Sequence, residues 1–315
     1  ADSRWFTGSG IYRDVTLEIS DMRAFATDGI FVTTERADAS EALVKVAYET
    51  LGGEGARFEI VDAQGVVVAT AEAQGESGEA LLTVKAPALW SPDSPNLYTL
   101  RAAVLAGGEV TDEQQVRFGI RTILFDADKG FFINGQNVKL KGVCVHHDAG
   151  ALGAAVPRGV WARRLSKLKA MGCNAVRTAH NPPDTGLLDL CDEMGLVVGL
   201  DLMFACNVYR LTDAFRENIR REAEENLTRV RDHACLGLVC GNNEMETAWC
   251  CWEDVTCHPE SLRRDYLTQF EDVLKNAVHD AAPDVFYWPS SPSSGGGFDN
   301  PNDENRGDVH YWDVW

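Results

Sequence analysis

Leu236-Gly237-Leu238-Val239-Cys240-Gly241-Asn242-Asn243-Glu244 is an apolar run, closed by a glycine, that ends in two amides and a carboxylic acid. Its body predicts a buried parallel strand, because strands covered on both faces read as continuous hydrophobic runs. Its polar end falls where that strand stops. In a barrel of alternating strands and helices, that face carries the active site. A carboxylic acid held there beside amides suits general acid/base work on a glycosidic oxygen. The competing reading is a Glu that caps the following helix. The nine residues alone leave both open.

On either side of this run, the period alternates between strand and helix. Strands are expected at 138–146, 173–179, 196–203 and 236–243, and helices at 160–171, 185–194, 212–231 and 261–281. Two more strands are expected at 285–289 and 308–312, joined by a Ser-, Pro-, Gly-, Asn- and Asp-rich stretch that cannot be helical. Parallel βαβ units with short connections predict a (β/α)8 TIM-type barrel over 122–315, cut short after about six strands. Asn134-Gly135 marks a hairpin at its entrance.

Before the barrel, residues 14–121 carry short alternating runs at spacings of about ten residues, among them Val15–Ile19, Leu43–Tyr48, Ala56–Val61 and Leu81–Val84. That pattern predicts an antiparallel β-sandwich. Nothing in it clusters acids, bases or metal ligands, so it is expected to be a spacer. Residues 1–13 are too short to form a domain and are expected to be the tail of a preceding one.

The 315 residues carry a net charge of -19, with 45% hydrophobic and 24% charged side chains. An acidic chain with no basic block disfavours nucleic acid and anionic membranes as partners. A neutral or cationic substrate fits better. Nine cysteines without framework spacing favour reduced thiols and a cytoplasmic setting. Cys250, Cys251, Cys257 and His258 lack the paired spacing of a structural zinc site, so neither metal nor cofactor is expected.

The expected strand ends bring together His146, His147 and Asp148, then Arg177, His180 and Asn181, then Asp201, then Asn243 and Glu244, and finally His310 and Trp312. Convergence of polar and aromatic groups on one face suits a carbohydrate substrate. Each has a plainer alternative. His180 could be a turn residue before Asn-Pro-Pro. Arg177 could only neutralise a buried carboxylate, Asp201 could orient a neighbour, and Trp312 could be core. Glu246 reads as solvated or capping. His146 and His147 are adjacent on a strand, so they face opposite ways and one is structural.

Trp90-Ser91-Pro92-Asp93-Ser94-Pro95-Asn96-Leu97-Tyr98, Phe118-Gly119-Ile120-Arg121, Leu140-Lys141-Gly142, Arg177-Thr178-Ala179-His180-Asn181-Pro182 and Asn243-Glu244 together resemble glycoside hydrolase family 2. The resemblance implies a remnant of a sugar-binding jelly roll at 1–13, an immunoglobulin-like sandwich at 14–121 and the first part of a catalytic barrel at 122–315. It implies a retaining exo-β-glycosidase with Glu244 as acid/base and Asn243 on the sugar 2-hydroxyl. Arg177, His180, Asn181, Asp148, His310 and Trp312 are the expected substrate contacts. The family's nucleophile is a second Glu at the end of strand seven, with no counterpart before Trp315, so this chain alone is expected to be inactive. Six strands of an eight-stranded barrel would leave two open edges, aggregation-prone unless another chain covers them, which leaves a homo-oligomer open. His146 to Asp148 and Arg177 to Pro183 resemble β-galactosidases and β-glucuronidases, whereas Asp201 to Cys206, the doubled amide in Gly241 to Glu244, Pro289 to Pro292 and Gly307 to Trp312 resemble β-mannosidases. A β-galactosidase-like activity is the first expectation, a β-mannosidase the second, and a non-catalytic carbohydrate-binding module the rival from another class.

Overall fold

The computed structural model describes residues 10–311 and residue 313. Seven strands build the sandwich: β1 (Ala24–Ala37), β2 (Glu41–Leu51), β3 (Gly55–Val61), β4 (Val67–Gln74), β5 (Ser77–Lys85), β6 (Tyr98–Ala106) and β7 (Glu109–Phe118). They pair antiparallel into a β1-β2-β5 sheet and a β4-β3-β6-β7 sheet. Alternation makes the sandwich. Ala42, Val44, Val46 and Tyr48 of β2 and Ala80, Leu82 and Val84 of β5 are buried against Phe58, Ile60, Leu100 and Val104 of the facing sheet.

The run Val15–Ile19, expected as a strand, is a correction. No described strand pairs with it, and Val15, Leu17 and Ile19 are 80%, 85% and 89% exposed. Alternation chooses which face is apolar, but it cannot supply the partner edge that a ladder needs.

The Trp-Ser-Pro and Phe-Gly-Ile-Arg motifs fasten the sandwich to the parallel β/α half of the chain. Trp90 is fully buried, and its Nε1–H donates to the Asp192 carbonyl at 2.9 Å. Arg121 donates to the Leu236 carbonyl at 2.8 Å and to that of Ala234. Gly119 is required by this contact: a Cβ there would lie 2.6 Å from Ala234 Cβ and 2.8 Å from Trp90 Cβ. A hairpin comes next, β8 (Ile123–Asp126) with β9 (Gly130–Ile133), extended by β10 (Gln136–Asn137). Asn134 and Gly135, at φ +52° and +74°, form the two-residue turn expected between β9 and β10.

The remaining strands are parallel and stand in sequence order: β11 (Gly142–His146), β12 (Ala175–Ala179), β13 (Val197–Asp201), β14 (Leu236–Cys240) and β15 (Phe286–Trp288). Helices α1 (Arg158–Ala170), α2 (Thr185–Met194) and α3 (Asp213–Val230) cross between the first four. Each buries one stripe, as in α3 with Ile219, Ala223, Leu227 and Val230 at three- and four-residue spacing. Asp184 and Thr212 cap α2 and α3 by accepting from the amides of Gly186 and Phe215.

Three expectations are corrected in this half. The sheet has five described strands where about six of a (β/α)8 barrel were expected. Among the described residues Asp308 makes only a single antiparallel bridge, to Ser293, and its carboxylate and the nearby His310 make side-chain contacts. An unforeseen helix, α4 (Met245–Cys251), starts directly after Glu244. The long helix expected at 261–281 is divided into α5 (Glu260–Leu267) and α6 (Leu274–Ala281) by a π-helical turn, Thr268–Val273, whose Phe270 carbonyl accepts from the Tyr287 hydroxyl at 2.6 Å.

Candidate active site

The C-terminal ends of β12 to β15 place their polar residues on one face. Parallel bridges Ala205↔Asn243 and Asn243↔Ser291 carry the ladder one step past the strands. The backbone of Asn243 is therefore pinned by the neighbouring loop, its N–H donating to the Phe204 carbonyl and its own carbonyl accepting from the Cys206 amide.

Asp201, fully buried at the end of β13, organises one half of the site. Its carboxylate takes one hydrogen bond of 2.8 Å from Arg177 Nε, an ion-pair contact of 2.8 Å with Arg177 Nη2 and one contact of 2.6 Å with His180 Nδ1. Burial alone would lower the Arg177 pKa, but the Asp201 charge outweighs it and the guanidinium is held more firmly protonated than usual. Arg177 also donates to Asn243 Oδ1 at 3.1 Å, which leaves the Asn243 amide nitrogen to face Cys206 Sγ at 3.3 Å.

Glu244 organises the other half. Its φ of +62° is a left-handed conformation that costs a non-glycine residue about 1–2 kcal/mol, and such outliers gather at functional sites. The conformation is held by its N–H donating to the Ser291 carbonyl at 2.8 Å and by the Ala248 amide donating to its own carbonyl at 2.8 Å. Glu244 thus starts α4 with its backbone, and no side-chain cap is made. The carboxylate is turned to the site instead. Oε1 lies 2.9 Å from His310 Nδ1, and Oε2 accepts from the Cys206 thiol at 3.4 Å. The hydrogen bond from His310, against the effect of burial, lowers the Glu244 pKa below its ordinary value.

His310 is itself held from the far side. Its Nε2 is 3.0 Å from Ser291 Oγ, and the Ser291 hydroxyl donates to Asp308 Oδ2. Asp308 Oδ1 accepts from Trp288 Nε1 at 2.6 Å and from the Ser293 amide at 2.9 Å. Behind this layer, buried Asn242 accepts from Ser290 Oγ and the Met245 amide, and donates to the Pro289 carbonyl.

Of the expected site residues, Arg177, His180, Asn243, Glu244 and His310 are brought into one hydrogen-bonded group. Asp201 joins them as an orienting carboxylate. Asn181 and Asp148 do not join. Asn181 is carried away by Pro182 and Pro183 and lines a separate cleft of about 420 Å³ with Tyr12, Arg13 and Met203. Asp148 contributes its carbonyl to Arg164, and among the described residues no hydrogen bond of its carboxylate links it to the group. Trp312 lies outside the described residues. His146 stands edge-on to His180 at 5.5 Å, and burial lowers its pKa. Cys206, Ser291 and Asp308 lie within the stretches that resemble β-mannosidases but were not among the expected site residues. The cue for Ser291 was its place just past an apolar strand.

Glu246, expected to be solvated or capping, is instead fully buried, and its Oε1 accepts from the Phe298 amide at 2.9 Å. Burial raises its pKa. Asp192, His233 and Cys235 also meet, before the start of β14, where Asp192 contacts His233 Nδ1 at 2.6 Å and accepts from the Cys235 amide at 2.7 Å. Those bonds fix the turn into the strand.

An antiparallel sandwich followed by parallel β/α units, with an Arg, an Asn-Glu pair and a His converging at the strand ends, defines the class of chain. The family profile "Glycosyl hydrolases family 2" matches residues 19–121, and "Glycosyl hydrolases family 2, TIM barrel domain" matches residues 126–232. A β-galactosidase from Bacteroides ovatus is 39% identical over 267 residues, covering 79% of this chain and 31% of the relative. A putative β-glucuronidase from Formosa agariphila is 35% identical, covering 77% of this chain and 24% of the relative. The crystal structure of a β-D-mannosidase from Dictyoglomus thermophilum superposes with a TM-score of 0.79 at 27% identity, covering 91% of this chain and 37% of that one. The chain belongs to glycosyl hydrolases family 2. It spans less than a third of the length of the two curated relatives named. No helix among the described residues is long and apolar enough to cross a membrane.

Proposed function

We propose that the protein carrying this chain is a retaining exo-β-glycosidase acting on terminal β-linked hexoses, in the manner of a β-galactosidase, with Glu244 as acid/base. The observation that carries this reading is the Glu244 carboxylate, held in a left-handed backbone turn at the end of β14 and aimed at the group formed by Asn243, Arg177 and His310. Glu244 would protonate the leaving oxygen and later deprotonate water, while Asn243, oriented by Arg177, bonds the sugar as positive charge develops at its anomeric carbon.

Double displacement needs a second carboxylate about 5 Å from the first. Asp201 and Asp308 are poor candidates, since every oxygen of theirs already takes hydrogen bonds from Arg177 and His180, or from Trp288, Ser293 and Ser291. We assign the nucleophile to the part of the protein outside this chain, residues 122–315 to the catalytic barrel and the sandwich to its support. Arg177 is neutralised by Asp201, so it offers no unpaired cation to a uronic acid; this favours a neutral hexose. A β-mannosidase is the second reading, favoured by the Asp308–His310 segment and the similarity to a mannosidase structure. The test is turnover by the full-length protein of nitrophenyl β-galactoside, β-mannoside and β-glucuronide. Preference for the galactoside is expected, preference for the mannoside selects the second reading, and no turnover of any would favour a binding module.

A further inference from the structure

A general acid must carry a proton when substrate arrives, yet His310 stabilises the ionised form of Glu244. We propose that His310 is the proton store for Glu244, its Nε2 kept protonated by Ser291 and Asp308 and its Nδ1 exchanging one proton with Glu244 Oε1. The inference deepens the glycosidase reading and rests on it.

The hydrogens can be counted one by one. Asp308 accepts at both oxygens, so the single hydroxyl proton of Ser291 is directed to Asp308 Oδ2. Ser291 Oγ, 3.0 Å from His310 Nε2, can then only accept, which requires a proton on Nε2. On the other side of the ring, Nδ1 is 2.9 Å from Glu244 Oε1, and one proton must lie between them. It sits either on Nδ1, giving an imidazolium–carboxylate pair, or on Oε1, giving a neutral pair. The Cys206 thiol donating to Oε2 favours the ionised carboxylate, and so places the proton on His310. Arg177 Nη1, the other charged group facing the ring, approaches Nε2 only to 3.5 Å, farther than Ser291 Oγ at 3.0 Å, and Asp201 neutralises the guanidinium charge. Backbone contacts to Asn302 Oδ1 and from Asn302 Nδ2 hold His310 in place from outside.

In the first half-reaction Glu244 gives a proton to the leaving oxygen as the anomeric C–O bond breaks, the bond pair staying on that oxygen. That proton is the shared one, delivered from His310 Nδ1 through Glu244 Oε1, so the pair is left as a carboxylate and a neutral imidazole. In the second, Glu244 takes a proton from the attacking water and passes it to Nδ1. The pair ends as it began. His310 is a positioning residue here, because it acts on the substrate only through Glu244.

Nitrogen-15 NMR of the histidine rings tests this on the chain itself, with circular dichroism to check that each variant is folded. At pH 7, where an isolated histidine is mostly neutral, His310 is expected to carry protons on both ring nitrogens, and Glu244→Gln is expected to leave only the Nε2 proton. A bare Nδ1 in the unsubstituted chain, or identical spectra for both, would overturn the proposal. In the full-length protein, His310→Gln keeps a donor but stores no proton. It should slow glycosides with poor leaving groups at least about tenfold and leave dinitrophenyl glycosides within about twofold. Equal losses on both would make His310 merely structural. If the spectra show the doubly protonated ring and no glycoside is turned over, the functional reading falls while the proton arrangement stands.

Discussion

Arg177 and Asp201 meet through a hydrogen bond of 2.8 Å from Nε to Oδ1 and an ion-pair contact of 2.8 Å between Nη2 and Oδ2, across the C-terminal ends of adjacent parallel strands. Asp201 has no exposure and Arg177 little, so the pair is dry on one side and ties β12 to β13 at the edge of the site.

Removing one partner of such a pair leaves an uncompensated charge. Asp201→Ala should destabilise the chain by about 3 kcal/mol in urea unfolding. Arg177→Met combined with Asp201→Leu should cost clearly less than the sum of the single changes, because no charge is left unpaired. Additive losses would show that the two charges act independently.

Burial raises the Asp232 pKa to about 6, although the Val32 amide donates to its carboxylate at 2.7 Å and pulls the other way. The folded state therefore binds this proton more tightly than the unfolded one. Stability should fall as pH rises from about 4 through about 6, by roughly 1–2 kcal/mol, and stay flat above. Asp232→Asn keeps the acceptor and should remove that slope. The check is urea denaturation of both chains at several pH values.

Gly119 sits where a methyl group would collide with Ala234 and Trp90, both on short, rigid attachments. Gly119→Ala should destabilise by about 1–3 kcal/mol and lower the melting temperature. Because this contact joins the sandwich to the parallel β/α half, hydrogen exchange should rise first around Trp90 and 234–236. An unchanged melting temperature would mean that the junction yields freely.

Much of the architecture was legible because burial imposes a period on the sequence. Ala42, Val44, Val46 and Tyr48 alternate as a half-buried strand must, and Val197–Asp201 and Leu236–Cys240 run apolar because both faces are covered. Val15–Ile19 carries the same alternation and forms no strand, since period reports faces and not partners. Strand ends gave Arg177, His180, Asn243 and Glu244, and His310 was reached from a strand expected at 308–312 that does not form among the described residues. Cys206, Ser291 and Asp308 were hidden, because loop residues obey no period and reach the site through turns fixed by distant contacts. Asp148 and Asn181 were drawn in by adjacency to strand ends, where one residue of turn was enough to aim them elsewhere.

Whether Glu244 gives the leaving group its proton is tested most directly by kcat/KM of the full-length protein and its Glu244→Gln variant, over β-glycosides of graded leaving-group acidity. A loss of about 10²–10⁴-fold is expected for alkyl and weakly acidic aryl glycosides, shrinking steeply toward dinitrophenyl glycosides, which leave without protonation. A loss of the same size across the whole series, or none at all, would contradict that role.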